Sequence, residues 1–350
     1  PLSARRHMTR PDTFALLHLL CRPCLPDDAP HRLAAILGPI DWSTLLRKLH
    51  HYGGLNWAWA HTQQLGVPLP PEHRTALRRG MQREVARAML TTEVLDALAP
   101  LIRGPKADVL VMKGRAVEAR AYPAEVLRPS NDLDLLVRPG KRDSVAAWLR
   151  AAGWRPVLTV GDGHAQLWHG PQRRGAIDLH EAPLSPSRFR GLSPNEVAGL
   201  FAQAIRLDDG TWTLDEIAQT ALLLGHLHAG VFTDLRHLAD LGRWLTVVAP
   251  DPATVAARLT RWGGRRCFHA AITATQRWDA ATLPAAWRTP RSQPSIRELR
   301  WRVWLDLAWR GSEQGQLEPP LWVRRAALLS HLDAPAAYTL SQLRTRIQGG

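Results

Sequence analysis

Residues 109–137 read VLVMKGRAVEARAYPAEVLRPSNDLDLLV, and this stretch decides how the chain folds. Its first part, Val109–Met112, is apolar and predicts a short buried strand that ends at Lys113. A short helical pattern follows, and a Tyr-Pro pair and an Arg-Pro pair then interrupt it. The chain resumes as a second strand over Asn131–Val137. We therefore expect two strands joined by a short helix and a loop.

The second strand places two carboxylates on one face. Alternate residues of a strand share a face, so Leu133, Leu135 and Val137 point into a core. Asp132 and Asp134 then stand together on the opposite face. Adjacent carboxylates repel each other, and a hard divalent cation that prefers oxygen ligands, above all Mg²⁺, relieves the repulsion. The alternative is two solvated aspartates on an edge strand, because a D-x-D pair alone is common.

The order of features in this stretch resembles a known family. An apolar strand, Lys113-Gly114, a helix, Tyr-Pro, Arg-Pro-Ser and then DLDLLV are similar to the uncharacterised nucleotidyltransferase branch of the polymerase-β-type nucleotidyltransferase superfamily. The resemblance extends more weakly over residues 41–278. It departs from the wider superfamily at the first turn, which is Lys-Gly in place of Gly-Ser. The resemblance implies an α+β fold, with a small mixed β-sheet and helices flanked by N- and C-terminal helical regions.

The same resemblance implies a third carboxylate on a strand beside the aspartate pair. Residues 176–181 read AIDLHE, and alternation places Asp178 and His180 on the face opposite Ile177. Asp178 is therefore the candidate. Glu181 is the next candidate if the register of the strand differs, and a surface strand with an exposed aspartate is the alternative.

The resemblance implies transfer of a nucleotidyl group from a nucleoside triphosphate, with ATP as the first candidate, to an acceptor hydroxyl with the help of two Mg²⁺ ions. Asp132 and Asp134 would bridge both ions. Asp178 would complete the shell of the ion that carries the nucleophile. Lys113 and the Gly114 amide open a helix, where unbonded N–H groups and the helix dipole favour phosphate.

Other residues near this stretch are candidates for binding the nucleotide. Arg128 and Ser130 precede the aspartate strand and are expected to hold the β- and γ-phosphates. Arg236 is four residues from Asp240, which predicts an ion pair on a helix surface. The candidates to line the nucleotide cleft are His180, His228 and Arg236. For His228 and Arg236, the alternative is a position at the edge of the core.

Composition limits the classes of protein. The 350 residues are 45% hydrophobic and 22% charged, values typical of a soluble globular protein. No apolar run is long enough for a membrane span, and the first residues do not resemble a signal peptide. Three cysteines favour a reducing compartment over a disulfide scaffold. We expect a cytoplasmic protein.

The charge leaves an alternative partner open. The net charge is +14, which favours a polyanionic ligand. The chain contains four Lys and 41 Arg, however, and the arginines are spread along it, which indicates a compositional bias. Nucleic acid is therefore a possible but not a favoured partner.

The flanks of the central stretch are predicted to be helical. We expect an N-terminal helical region (residues 1–101), a nucleotidyltransferase α/β core (102–182) and a C-terminal helical region (183–350). Asp41 caps an early helix, and Ser295 opens a late one. Helical spacing over residues 72–101 predicts one apolar stripe. Its members are Leu77, Met81, Val85, Met89 (or Leu90), Val94 and Leu98.

The sequence is compatible with three functions. The first is transfer to a peptide natural product or small molecule, an acceptor class that the resemblance implies. The second is an inactive relative that binds a nucleotide or a peptide, against which the three carboxylates argue. The third is an RNA-directed nucleotidyltransferase, which only the charge favours.

Overall fold

The computed structural model describes residues 11–288, except 23, 37–38, 124–127, 129, 131, 161–163, 230–234 and 280–282. Within these residues the chain forms thirteen α-helices and a seven-stranded mixed sheet. The expected α+β class is therefore confirmed. The helix predicted to open at Ser295 lies outside the described residues.

The sheet is built around the two strands of the central stretch. Strands β2 and β5 run parallel at its middle, and β1 pairs antiparallel with β2. The spatial order is β3-β4-β5-β2-β1-β7-β6. The strands are β1 Val109–Val111, β2 Leu133–Val137, β3 Arg155–Val160, β4 Ala165–His169, β5 Ala176–His180, β6 Ile205–Arg206 and β7 Trp212–Thr213.

Helices precede, interrupt and follow the sheet. The N-terminal helices are α1 Pro11–Leu20, α2 Ala29–Ala34, α3 Trp42–Tyr52, α4 Leu55–Gln64, α5 Pro71–Ala97 and α6 Ala99–Ile102. Between strands lie α7 Lys113–Ala121, α8 Arg142–Ala151 and α9 Pro194–Ala202. The last described helices are α10 Glu216–Ala229, α11 Leu235–Val247, α12 Pro252–Arg261 and α13 Arg265–Asp279, and short 3₁₀ turns cover Pro171–Arg173 and Ala285–Trp287.

Each face of β2 contributes to a different core. Leu133, Leu135 and Val137 are buried against α8 and the end of α5, together with apolar residues of β5. Leu136 points the other way and belongs to a larger core with α7, α10 and the N-terminal helices. Alternation therefore places Asp134 on the face covered by α7 and α10.

The sheet extends beyond the predicted α/β core. Strands β6 and β7 come from residues after 182 and join the sheet where Thr213 pairs with Val111. The Thr213 hydroxyl also donates to the Val111 carbonyl at 2.7 Å. In addition, helices from both flanking regions share one core. The division into 1–101, 102–182 and 183–350 stays a prediction.

The apolar stripe predicted for α5 is wrong in its middle. Val85 is 36% exposed and Met89 is 65% exposed, whereas Leu90, the alternative to Met89, is half-buried. Glu84 is only 4% exposed. The reason is that α4 starts against this part of α5, where the Glu84 carboxylate accepts from the backbone N–H groups of Leu55 and Asn56 at 3.1 and 2.8 Å. A carboxylate at a helix N-terminus satisfies orphan donors, and this requirement turns Glu84 inward.

Other local predictions hold. The Asp41 side chain accepts from the Thr44 N–H at 3.0 Å and so caps α3. None of the described helices combines the length and the apolar composition needed to cross a bilayer.

Candidate active site

Two neighbouring parallel strands carry the carboxylates. Asp134 on β2 pairs in register with Asp178 on β5. Two residues further along, Leu136 pairs with His180. Because the two strands run in the same direction and in register, Asp134, Asp178 and His180 share one face of the sheet. Asp178 therefore lies on the strand beside Asp134, the position that the resemblance implies for a third carboxylate.

Three side chains form a set of donors with the spacing of a metal site. One atom each of Asp134, Asp178 and His180 lies within 4.8 Å of the others. The Nε2 atom of His180 is 3.0 Å from Oδ1 of Asp134 and 3.9 Å from Oδ2 of Asp178. The other oxygen of Asp178, Oδ1, is buried and has no hydrogen-bond partner among the described residues. An orphaned buried carboxylate oxygen beside two further ligands fits a divalent cation.

Lys113 brings a positive charge to this set. Its Nζ donates to Oδ1 of Asp134 at 2.7 Å, and both side chains are mostly buried. The contact follows from topology, because β1 is antiparallel to β2 and Lys113 leaves β1 next to Asp134. Lys113 also has a φ of 48°, which is uncommon for a residue with a side chain. Such outliers are maintained where the surroundings require them and often at functional positions.

The charges around Asp134 separate the pKa values of the two aspartates. Burial acts to raise the pKa of Asp134, but Lys113 and then His180 outweigh it and hold that pKa well below its ordinary value. Burial, and then the charge of Asp134, raise the pKa of Asp132 to about 6. Burial, and then Lys113, lower the pKa of His180. Asp134 is therefore the carboxylate that stays ionised, and His180 is neutral at neutral pH.

Asp132 and Ser130 lie at the entrance to β2. Asp132 is not a member of the three-residue set, although Asp134 and Asp178 both act on its pKa. The Ser130 hydroxyl donates to the backbone carbonyl of Asp132 at 2.7 Å, which fixes the start of the strand. Their roles in bridging ions and holding phosphate stay predictions.

Arg128 has a different environment from the one expected of a phosphate ligand. Its Nε and Nη2 atoms donate to the two carboxylate oxygens of Asp240 at 2.9 and 2.6 Å. Tyr122 donates its hydroxyl to the same carboxylate at 2.6 Å. The Nη1 atom of Arg128 would lie 2.5 Å from a Cβ at residue 114, so glycine is required there by the packed guanidinium. The phosphate-binding role of Arg128 and Gly114 stays a prediction.

The surface ion pair predicted between Arg236 and Asp240 is wrong in one respect. Asp240 is 1% exposed and is bonded by Arg128 and Tyr122 inside the protein. The prediction used only the helical spacing, which does not show that this face of α11 packs against α7, Tyr122 and Arg128. Arg236 itself is partly exposed. Burial raises the pKa of Asp132, and the charge of Arg236 offsets part of that rise.

Two histidines of α10, His226 and His228, have different surroundings, and the cleft role expected of His228 stays a prediction. His228 is 1% exposed and its ring packs edge-on against Phe189 in the core. His226 is partly buried with its ring 4.5 Å from that of His237. Burial, and then the charge of Lys113, hold the pKa of His226 well below its ordinary value.

A signal for His226 exists in the sequence of α10. Gln219 is seven residues before it, on the same face of the helix. The Gln219 side chain donates to the Lys113 carbonyl at 3.5 Å. The spacing of seven residues between Gln219 and His226 is therefore the signal, because it places both side chains on the helix face that meets the site.

A cavity of about 700 Å³ lies near His180, although none of Asp134, Asp178 and His180 lines it. His164 lines it, and the His164 ring is 5.7 Å from the His180 ring. Glu181, the fallback for the third carboxylate, also lines this cavity and forms an ion pair with Arg142. Apolar side chains line much of the remainder. They include Val137, Pro139, Ala182, Pro186, Leu192 and Val197.

Carboxylates on two parallel strands, with a lysine at the start of the helix that precedes the first of them, form a site that can hold divalent cations against phosphate. This arrangement is that of an enzyme that transfers phosphorus-containing groups. The chain belongs to the uncharacterised nucleotidyltransferase family, whose sequence model matches residues 38–279, and it is a nucleotidyltransferase. The resemblance drawn from the central stretch is confirmed. No curated protein and no solved structure matches the chain.

Proposed function

We propose that this protein transfers a nucleotidyl group from a nucleoside triphosphate, with ATP as the first candidate, to a hydroxyl of a peptide or small-molecule acceptor. The reaction would depend on Mg²⁺ and take place in the cytoplasm. The observation that carries the proposal is the register of Asp134 with Asp178, with the Lys113 ammonium 2.7 Å from Asp134. These groups would hold cations and triphosphate together.

The proposed chemistry forms a bond between the acceptor oxygen and the α-phosphorus and breaks the α–β phosphoanhydride bond. Pyrophosphate leaves. Divalent cations held by the carboxylates would offset the charge of the triphosphate and make the acceptor hydroxyl more acidic. Asp178 would accept the proton, because its Oδ1 atom is buried without a hydrogen-bond partner among the described residues. Asp134 would remain ionised throughout, as its depressed pKa favours.

Lys113 would change partners when nucleotide binds. Its ammonium is a compact point charge on a flexible stem, which can leave one carboxylate oxygen for a phosphate oxygen. The start of α7 adds backbone N–H groups that favour anions. Lys113 would therefore bind the triphosphate in the complex and partly neutralise Asp134 without it.

The cavity beside His164 and His180 supports a small-molecule or peptide acceptor. Its volume of about 700 Å³ is within the usual range for sites that bind small molecules. Its lining is largely apolar, and the Arg142–Glu181 ion pair supplies both signs of charge. A compact acceptor with an apolar body would fill it and direct a hydroxyl towards Asp178.

Nucleic acid is the second candidate acceptor, because the net charge is +14. Several phosphate contacts would make RNA retention fall steeply with salt. An inactive nucleotide-binding relative is the other alternative. It would bind Mg²⁺-nucleotide but release no pyrophosphate.

The experiment that tests the proposal incubates the full chain with each labelled triphosphate, Mg²⁺ and panels of hydroxyl-bearing peptides and small molecules. Mass spectrometry then detects a nucleotide adduct, and a coupled assay follows pyrophosphate. Asp178→Asn sets the background, and Asp143→Asn, at an exposed position in the first turn of α8, is the matched control. Adducts from wild type and the control, but not from Asp178→Asn, would support the proposal.

The Asp178 variant also tests its assigned role. If Asp178 accepts the proton, Asp178→Asn lowers kcat by about 10²-fold or more and leaves nucleotide affinity within a few-fold. Near-normal turnover in folded Asp178→Asn would contradict the role. The absence of any adduct across all triphosphates and acceptors, with nucleotide still bound, would favour the inactive relative.

A further inference from the structure

The side chains of this site offer two kinds of metal-binding atom, carboxylate oxygen and imidazole nitrogen. Asp132 and Asp134 offer only oxygen, the ligand that Mg²⁺ prefers. The set formed by Asp134, Asp178 and His180 contains an imidazole nitrogen, which first-row transition metals bind well. The His180 side chain is 5% exposed, and its Nε2 atom is directed at the two carboxylates. This nitrogen is therefore positioned as a ligand.

The spacing of the donors fits a single ion. On an octahedral ion with bonds of about 2.1 Å, two neighbouring ligand atoms lie about 3.0 Å apart, and opposite ones about 4.2 Å apart. His180 Nε2 is 3.0 Å from Asp134 Oδ1 and 3.9 Å from Asp178 Oδ2. The first separation equals that of neighbouring ligands, and the second lies between the neighbouring and the opposite values. Asp132, by contrast, is outside the three-residue set.

We infer that His180 is a metal ligand, and that the position it forms with Asp134 and Asp178 selects a divalent transition ion such as Mn²⁺ over Mg²⁺. The inference rests on the proposed function, which requires ions at these carboxylates. It assigns different ions to the two positions. The position at Asp132 and Asp134 is completed by triphosphate oxygens and suits Mg²⁺, whereas the His180 position binds its ion without nucleotide.

Lys113 gives the inference a second consequence. Its ammonium contacts the same Asp134 oxygen that faces His180. A cation at the His180 position must compete with this ammonium for Asp134. Replacing Lys113 with a neutral side chain of similar length should therefore strengthen Mn²⁺ binding in the absence of nucleotide.

The test uses Mn²⁺ as the probe on the full chain without nucleotide. Electron paramagnetic resonance counts bound Mn²⁺, and spin-echo modulation detects a directly coordinated nitrogen. We expect one ion per chain, a nitrogen signal, and weaker competition from Mg²⁺ than from Zn²⁺. His180→Gln should remove the nitrogen signal and weaken Mn²⁺ binding at least about tenfold. His164→Asn is the matched control, because that ring adjoins His180 but is outside the set, and the signal should remain.

Two further variants keep the inference falsifiable if His180→Gln misfolds. His180→Glu should retain an ion, lose the nitrogen signal and bind Mg²⁺ as well as Mn²⁺. Lys113→Met should increase Mn²⁺ affinity and retain the signal. Bound Mn²⁺ without nitrogen coupling in the wild type, or equal preference for Mg²⁺, would overturn the inference and leave His180 as a hydrogen-bond partner of Asp134.

The outcomes also separate this inference from the proposed function. Nucleotide transfer with Mg²⁺ alone and no nitrogen coupling means that the inference fails and the function stands. Nitrogen coupling without transfer from any triphosphate means that the metal position exists and the function fails. A chain that binds no Mn²⁺ contradicts the inference whatever its activity.

Discussion

Two buried ion pairs in this protein differ in how completely they satisfy their charges. Arg128 and Asp240 are 6% and 1% exposed, and two parallel hydrogen bonds join the guanidinium to both carboxylate oxygens. Tyr122 adds a third hydrogen bond. Lys113 and Asp134 are 13% and 12% exposed and share one contact at 2.7 Å. We call Arg128–Asp240 the closed pair, because both carboxylate oxygens accept hydrogen bonds from the guanidinium. We call Lys113–Asp134 the open pair, because it leaves donors and acceptors for a ligand.

The choice of cation explains the difference. Arginine has a rigid fork that matches a carboxylate at two points, whereas lysine has a mobile point charge. Burial acts to raise the pKa of Asp240, but Arg128 and the hydrogen bonds to it outweigh that effect and keep the carboxylate ionised. The guanidinium of Arg128, with both ends bonded to Asp240, joins residue 128 to α11. A single ammonium contact beside Asp178 and His180 can be exchanged.

Breaking the open pair should have the largest effect on activity. Asp134→Asn removes a ligand shared by both proposed ion positions and the partner of Lys113, so transfer should fall to the background rate. Mg²⁺-dependent nucleotide binding should weaken as well, as measured by calorimetry with and without chelator. Asp143→Asn is the control for exchange of a carboxylate by an amide. Unchanged Mg²⁺-nucleotide affinity in folded Asp134→Asn would refute the assignment.

Breaking the closed pair should act on stability. Asp240→Asn leaves the Arg128 guanidinium buried without its charge partner, and the loss of a buried pair's partner costs about 3–5 kcal/mol. Urea unfolding of the metal-free chain measures this free energy. Asp134→Asn should cost much less in the same assay, because Lys113 can turn towards solvent. Equal losses in the two variants would remove the distinction between the pairs.

How far the sequence predicts these pairs depends on the range of the contacts. Alternation within β2 and β5 correctly places Asp134, Asp178 and His180 on a polar face, because side-chain direction in a strand is a local property. The partner of Arg128 is 112 residues away on α11 and is set by how that helix packs against α7. No local spacing contains that information. Helical periodicity instead suggested a surface pair for Asp240.

The same limit applies to the histidines and to α5. Periodicity identifies a helix over α10, but it does not show which histidine faces the carboxylates. The charge of Lys113 acts on the pKa of His226, whereas the His228 ring packs edge-on against Phe189. Likewise, apolar spacing predicted that Val85 is buried, whereas the structure buries Glu84, which accepts hydrogen bonds from the start of α4. Packing partners distant in sequence decide both cases.

A smaller effect is expected when the cation of the open pair is removed. Lys113→Ala should raise the KM for triphosphate by about tenfold or more, since one charge-assisted contact contributes about 1.5–3 kcal/mol. Binding of the nucleoside alone should change little, because it has no phosphate for Lys113 to contact. Lys106→Ala, at an exposed position before β1, is the matched control. Equal losses for nucleoside and triphosphate would indicate a folding defect instead.

The smallest expected effect concerns Asp132 and stability against pH in the metal-free chain. The pKa of Asp132 is raised from 3.8 to about 6 by burial and then by Asp134. The folded state therefore binds the proton more tightly than the unfolded state. The resulting stabilisation is fully present below about pH 4 and is lost as the pH rises through about 6.

Asp132→Asn removes this pH-dependent loss, because the amide is neutral at every pH. Its midpoint of thermal unfolding in chelator should exceed that of the wild type by roughly 2–4 °C at pH 8, and the difference should disappear near pH 4. Asp134, whose pKa is depressed, has the opposite sign, so its stabilising contribution is lost as the pH falls. Asp134→Asn should therefore lower the midpoint at pH 8. If both variants shift the midpoint in the same direction at pH 8, Lys113 does not stabilise the charge of Asp134 more than that of Asp132. The Lys113–Asp134 pair then does not separate the pKa values of the two aspartates.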